Sequence, residues 1–320
     1  MTNIGYTLMT EQRGPRELVD DAVRAEAAGF DFAVCSDHYY PWLQEQGHAP
    51  FAWSVLGAVA HVTQRMDLVS FVTCPTMRYH PAVVAQMAAT VGVMSGGRFT
   101  LGLGAGENLN EHVVGAYPQA TQRHAMLAEA LEIIKPLLAG ETVHHSGEYY
   151  DVPEARLWDL PDEQVPIGVA VSGPSSCRLA ARNDAALIAV EPKRELIDAY
   201  EKSGGDGRPR YGQVAICWGP DAHACAQVAH EQFRWFNLGW AVNAELPGPR
   251  SFDAAAATVT PEFVASKIPC GPDVDRHVAA IREFTDAGFT DVAVVQIGGD
   301  SQPDFLDFAQ KQLLPALNGG

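Results

Sequence analysis

Cysteine is present but never paired in the sequence. Cys35, Cys74, Cys177, Cys217, Cys225 and Cys270 lie far apart without a CxxC, which argues against both a zinc site and a disulfide framework. No metal is expected, and a reducing, cytoplasmic setting is. Basic residues are scarce as well: 22 Lys and Arg against 39 Asp and Glu leave a formal net charge of −17. That charge is spread without an acidic tail and without a basic patch, so nucleic acid and anionic membrane are both disfavoured as partners. There is no stretch of about 18 consecutive apolar residues to cross a bilayer. The opening MTNIGYTLMTEQRG lacks the basic stretch and long apolar run of a secretory leader. No low-complexity linker divides the chain, and a single domain over 1–320 is expected.

What is present is enough apolar material for a large core, 47% of 320 residues. Eight apolar runs read as buried strands: Ile4 to Met9, Phe32 to Cys35, Leu68 to Val72, Phe99 to Leu103, Ile167 to Val171, Ala185 to Val190, Val214 to Trp218 and Val292 to Ile297. Amphipathic stretches such as RELVDDAVRAEAAGF and DRHVAAIREFTDAGF separate them. Continuous apolar strands alternating with helices mean parallel pairing with right-handed crossovers. The Ala-Gly-Phe that ends a helix near each terminus suits a closed α/β (β/α)8 TIM barrel, whose first and last units become neighbours. An open doubly wound sheet is the alternative. Two stretches exceed a minimal barrel, 142–166 and 239–272, and connections of that length are more often functional lids than spacers.

Active sites of such barrels gather where strands end. "CSDHYYPW" (Cys35 to Trp42) follows the second run, FVTCPTMRYHP the third, GAGENLNEH the fourth, SGPSS the fifth and EPK the sixth. Taken singly, Asp37 reads as a turn cap and His38 as a satisfied surface histidine. Convergence of the clusters at one barrel mouth reverses that preference.

"SDHYYPW", "PTMRYHPAVVAQMAAT", "LGLGAGENLNE" and "SGPSS" together resemble the bacterial luciferase-like superfamily, and within it the glucose-6-phosphate dehydrogenase branch that uses the deazaflavin coenzyme F420. The similarity runs from Ile4 to about Ala316. It implies a luciferase-like barrel with insertions, a homodimer, F420 as cofactor and a small-molecule substrate. It also implies acid/base roles for His38 and Glu107, in an unassigned order, with Trp42 beside the reacting centre. Deazaflavin contacts are implied for Asp37, Phe71, Val72, Cys74, Ala105, Gly106 and Asn110, and a seat for the phosphodiester tail at Ser172, Gly173, Ser175 and Ser176. A loop of small residues entering a helix has free N–H groups to offer such a phosphate. At Phe71–Val72 the family holds a non-proline cis bond, but Phe71 is a large residue for that place and leaves cis and trans both open. Cys74 stands where a threonine is usual, which removes a hydroxyl.

The substrate end departs from the branch. A Thr-x-x-Lys expected after the sixth strand becomes Val190-Glu191-Pro192-Lys193, and Lys267 stands for a second lysine. The lost hydroxyl and the added carboxylate favour an alcohol or carbonyl substrate over glucose 6-phosphate, which stays as the alternative with Arg276 or Arg282 completing a clamp. An FMN-dependent monooxygenase and a non-catalytic flavin-binding paralogue are further readings. The paired SDHxxPW and GxGE motifs disfavour the first, and the two acid/base candidates the second.

Overall fold

The computed structural model describes residues 2–318. Eight parallel strands close into a barrel: β1 (Asn3–Leu8), β2 (Phe32–Cys35), β3 (Asp67–Ser70), β4 (Phe99–Leu103), β7 (Ile167–Ala170), β8 (Ala186–Ala189), β9 (Arg210–Ile216) and β10 (Asp291–Gln296). Each expected apolar run is one of these strands, and β1 closes the ring by pairing with both β2 and β10. The open-sheet alternative is thereby excluded. The two Ala-Gly-Phe units are alike in three dimensions. Gly29 and Gly288 cap their helices at φ 101° and 102°, a left-handed conformation that costs glycine no Cβ clash, and Phe30 and Phe289 turn inward.

Two strand boundaries move. β9 begins at Arg210, ahead of the apolar run, because Tyr211 and Gln213 pair with β10 although they are polar. Lumen positions of a barrel accept such side chains when they find partners: Tyr211 lies edge-on to Phe32, and the Gln213 amide donates to Thr7 Oγ1 at 3.2 Å. β3 ends at Ser70, ahead of the expected Val72, and pairing resumes at the Thr73–Leu103 bridge; the Phe71–Val72 peptide between them is cis.

The segment 142–166 contains an antiparallel hairpin of β5 (Val143–Ser146) and β6 (Asp151–Ala155). It does not cover the mouth. It lies along the helix Ala120–Leu138, whose Glu129 receives the N–H groups of Glu148, Tyr149 and Tyr150, and from there the Tyr150 hydroxyl donates to Pro75 O at 2.7 Å. The hairpin is a brace for the loop after β3. The second segment, 239–272, is the lid-like one. Its short helices Trp240–Asn243, Pro249–Ala255 and Pro261–Ala265 bridge the strand ends, and Ala244 O accepts both Asn108 N and the Tyr117 hydroxyl.

Candidate active site

Three strand ends bring one imidazole between two carboxylates. His38 follows β2, Glu107 follows β4, and Glu11 follows β1; His38 Nε2 lies 3.5 Å from Glu11 Oε1 and 3.5 Å from Glu107 Oε1. These separations exceed a formed hydrogen bond by a few tenths of an ångström, so a small movement brings proton transfer within reach. His38 Nδ1 faces Tyr40 O at 3.2 Å, and because a carbonyl can only accept, Nδ1 carries the N–H and Nε2 is the nitrogen turned to the two carboxylates. The His38 and Glu107 side chains retain 10% and 14% of their surface, whereas Glu11 keeps 2% and lies behind them.

Glu11 is held in place by its own donors. Ser36 Oγ donates to its Oε2 at 2.5 Å, Thr10 Oγ1 at 3.1 Å, and Trp42 Nε1 donates to Oε1 at 3.1 Å. Trp42 thus lies beside both Glu11 and His38. Its ring lies 4.9 Å from the His38 ring on one side and stacks on Trp235 at 4.1 Å on the other, with Phe252 at its edge. Trp42 is therefore both a wall of the site and the point where the second insertion seats on the barrel.

Asn110 ties the catalytic turns together. Its Oδ1 accepts Tyr39 N at 2.7 Å and Tyr40 N at 3.3 Å, while Nδ2 donates to Glu107 Oε1 at 2.6 Å. One N–H of that amide remains for another acceptor. Asp37 is buried, and its carboxylate accepts from Thr73 Oγ1 at 2.8 Å, from the Tyr79 hydroxyl at 3.1 Å and from Arg78 at 3.4 Å. Burial, then the neighbouring Asp37, pushes the Tyr79 hydroxyl well above the usual tyrosine range, so it stays a donor. Glu111 accepts Arg78 Nε at 3.1 Å; burial raises its carboxyl, and Arg78 opposes that rise.

The floor beside these groups is backbone. A Cβ on Gly104 would come within 2.6 Å of Val72 Cγ2, so glycine lets the loops after β3 and β4 touch, and one on Gly106, at φ 90°, would come within 2.8 Å of Glu111 Cγ in its own turn. Phe71, Val72 and Ala105 are half-buried beside that seam, and Cys74 is buried at its edge. Burial raises the Cys74 thiol well above its usual range, with Glu111 and Glu107 adding to the effect, which keeps it neutral.

At the end of β7 the expected phosphate seat is narrower than the sequence suggested. Ser176 Oγ turns inward and accepts the N–H groups of Ser172 and Gly173 at 3.1 and 3.3 Å, so those two donors and that hydroxyl are spent on a helix cap. Pro174 has no N–H. The backbone N–H groups of Ser175 and Ser176 remain at the start of the helix Pro174–Arg182. Arg178, whose guanidinium donates to Ser175 Oγ at 3.0 Å, adds a cation that the motif did not indicate.

Val190 and Lys267 line one cavity of about 320 Å³ together with Gln213, Phe236 and Arg276. Lys193 is not among the residues that line it. Its ammonium, one of the expected substrate contacts, instead pairs with Glu191 at 2.9 Å in solvent. Arg282 does not line it either, and Arg276 does. Among the described residues no cluster of metal-ligating side chains occurs. Glu11, Arg78 and Arg178 escaped the reading of the sequence. For Glu11 the signal was available: it follows an apolar run, as the other candidates do.

Known proteins match this chain over nearly its whole length. The family model for luciferase-like monooxygenases matches residues 1–291, and the chain belongs to that luciferase-like family. It is 37% identical to the F420-dependent glucose-6-phosphate dehydrogenase of Microbacterium testaceum over 98% of this chain and 96% of that one. The enzyme of the same description from Intrasporangium calvum is also 37% identical, over the full length of both. Among solved structures, an F420-dependent secondary alcohol dehydrogenase in complex with an F420-acetone adduct superposes with a TM-score of 0.89 at 26% identity, covering 99% of each chain.

Proposed function

We propose that this protein is an F420-dependent oxidoreductase that moves a hydride between an alcohol or carbonyl substrate and the deazaflavin C5. The observation that carries the reading is His38 Nε2 held between Glu11 and Glu107 at the barrel mouth. The residues fit the cofactor on two counts. The seam of Phe71–Val72 with Gly104 and Gly106 is a backbone surface for a flat ring, and the two free N–H groups beside Arg178 suit an anionic tail. Asn110 and Ala105 border the same seam, and Ser175 the tail.

When bound, the deazaflavin supplies a centre that exchanges hydride and not single electrons. The chain supplies the proton chemistry. His38 takes the hydroxyl proton of the substrate at Nε2, and the flanking carboxylates of Glu11 and Glu107 stabilise the imidazolium that results. Glu107, the more exposed of the two, passes the proton on. Trp42 and Trp235 keep water from one side of the centre. In the reducing direction the same residues return the proton to the carbonyl oxygen.

For the substrate we favour an alcohol or carbonyl without a phosphate, because Val190 offers no hydroxyl and Lys193 is spent on Glu191. A sugar 6-phosphate is the second reading, favoured by Lys267 and Arg276 on the same cavity and by what the curated relatives are called. We further infer a single barrel domain that forms a homodimer in the cytoplasm. The helix Pro81–Ser95 supports the dimer by leaving Val83 and Met94 exposed, and six unpaired buried cysteines suit a reducing compartment. The deciding assay is F420 absorbance on titration and turnover, run against secondary alcohols and sugar phosphates, with FMN as a control. FMN binding as tight as F420 binding would sink the oxidoreductase reading. Efficient turnover of glucose 6-phosphate would replace the first substrate reading with the second.

A further inference from the structure

Four carboxylates crowd the barrel mouth: Glu11, Asp37, Glu107 and Glu111. Among the described residues one permanent cation enters the group, Arg78, whose side chain keeps 7% of its surface. Its fork spans two loops. Nη2 donates to Asp37 O at 2.9 Å, Nη1 and Nη2 reach Asp37 Oδ1 at 3.4 Å, and Nε donates to Glu111 Oε1 at 3.1 Å. The backbone N–H of Arg78 completes the grip on Glu111 Oε2 at 3.0 Å. Burial works against the charge, but Asp37 and Glu111 outweigh it and hold the guanidinium protonated.

Asp37 precedes His38, and Glu111 lies one helical turn beyond Glu107. Arg78 therefore joins the turn that carries one acid/base group to the turn that carries the other. Asn110 makes the parallel link, from Tyr39 and Tyr40 N–H to Glu107. The electrostatic consequence is a division of labour. Arg78 compensates Asp37 and Glu111, which leaves Glu11 and Glu107 to face His38 alone.

We propose that Arg78 is a positioning residue that sets the separation of His38 from Glu107 by holding the backbone of Asp37 and the carboxylate of Glu111. The inference rests on the acid/base reading of His38 and Glu107 given above. A lysine cannot replace it, because a single ammonium lacks the planar fork that reaches both loops. Without Arg78, two buried carboxylates lose their counter-charge and the turns are joined by the Asn110 hydrogen bonds and the Tyr40–His112 stack.

The test uses the full chain with Arg78→Lys and Arg78→Ala, each checked for native melting behaviour. In cofactor-free protein, acylation of His38 by diethylpyrocarbonate is followed against a His38→Asn blank, and several-fold faster labelling is expected in both variants. With F420 and an alcohol that the wild type turns over, kcat is expected to fall on the order of 10- to 100-fold with KM changed less than about threefold. Added guanidinium should restore part of the Arg78→Ala rate and none of the Arg78→Lys rate. Wild-type labelling and kcat in both variants would overturn the proposal, as would losses that track melting and resist guanidinium. If the wild type neither binds F420 nor oxidises any alcohol, the functional reading fails, and the labelling arm still decides the role of Arg78.

Discussion

Glu11, His38 and Glu107 form a charge arrangement suited to the proton transfer proposed above. With its N–H at Nδ1 turned to Tyr40 O, the imidazole presents Nε2 to two carboxylate oxygens at 3.5 Å, which can stabilise a positive charge formed there. Replacing His38 with Asn, or Glu107 with Gln, is therefore expected to cost about 10²-fold or more in kcat with cofactor affinity nearly unchanged. Glu11→Gln keeps one acceptor oxygen for Trp42 Nε1 and turns an amide N–H toward Ser36 Oγ, but loses the negative charge, so a smaller loss, on the order of 10-fold, is expected. Steady-state kinetics with saturating cofactor check all three. Wild-type kcat in Glu11→Gln would reduce that residue to a support for Trp42. Trp42 was legible from its motif, whereas Glu11, although it follows an apolar run, needed the structure to show that its buried carboxylate lies against His38.

At the scale of elements, the hairpin β5–β6 depends on one carboxylate. Burial alone would raise the Glu129 carboxyl, but the N–H of Tyr150, the His145 side chain and the N–H groups of Tyr149 and Glu148 together hold it below the usual glutamate range. A folded value below the unfolded one means stability that is present above the ordinary value of about 4.3 and is lost as pH falls below it. Glu129→Gln should therefore cost roughly 1 kcal/mol at neutral pH and much less near pH ~3.5, measured by urea unfolding at both. An equal cost at the two pH values would mean that the amide packs badly and that charge is not the cause. Because Tyr150 reaches Pro75, the same substitution should loosen the loop after β3, visible as faster amide exchange there. The sequence showed that 142–166 exceeds a minimal barrel and is long enough for a lid. It did not show that the hairpin props the site from outside instead of closing over it, because that depends on which helix face Glu129 occupies.

For the whole molecule, the net charge of −17 opposes the approach of an anionic cofactor. Arg178 and Lys267 are local exceptions in a negative field. The association rate of F420 is accordingly expected to rise several-fold as ionic strength increases from about 0.01 to 0.2 M, because the Debye length shrinks from roughly 30 Å to under 10 Å and screens the repulsion. Stopped-flow absorbance reads this directly, and a rate that falls with salt would show that local cations steer the tail. The exposed Val83 and Met94 on the helix Pro81–Ser95 lead to an expected dimer by sedimentation velocity, and Met94→Glu should shift it toward monomer. A monomeric wild type at micromolar concentration would remove the dimer.

The sequence by itself determined the eight barrel strands, the closure implied by the repeated Ala-Gly-Phe unit, and the clusters at the strand ends that carry His38, Trp42 and Glu107. These were legible because burial on both faces forces continuous apolar strands, and because barrel geometry sends every strand end to the same mouth. Tertiary structure alone decided which polar groups meet there. Ser176 turns into its own helix cap, Lys193 goes to Glu191 in solvent, and Arg78 and Glu11 enter the site from loops distant in sequence. The physical reason is that a hydrogen bond or an ion pair depends on a few tenths of an ångström between residues far apart in the chain, and local patterns of hydrophobicity carry no information about that distance.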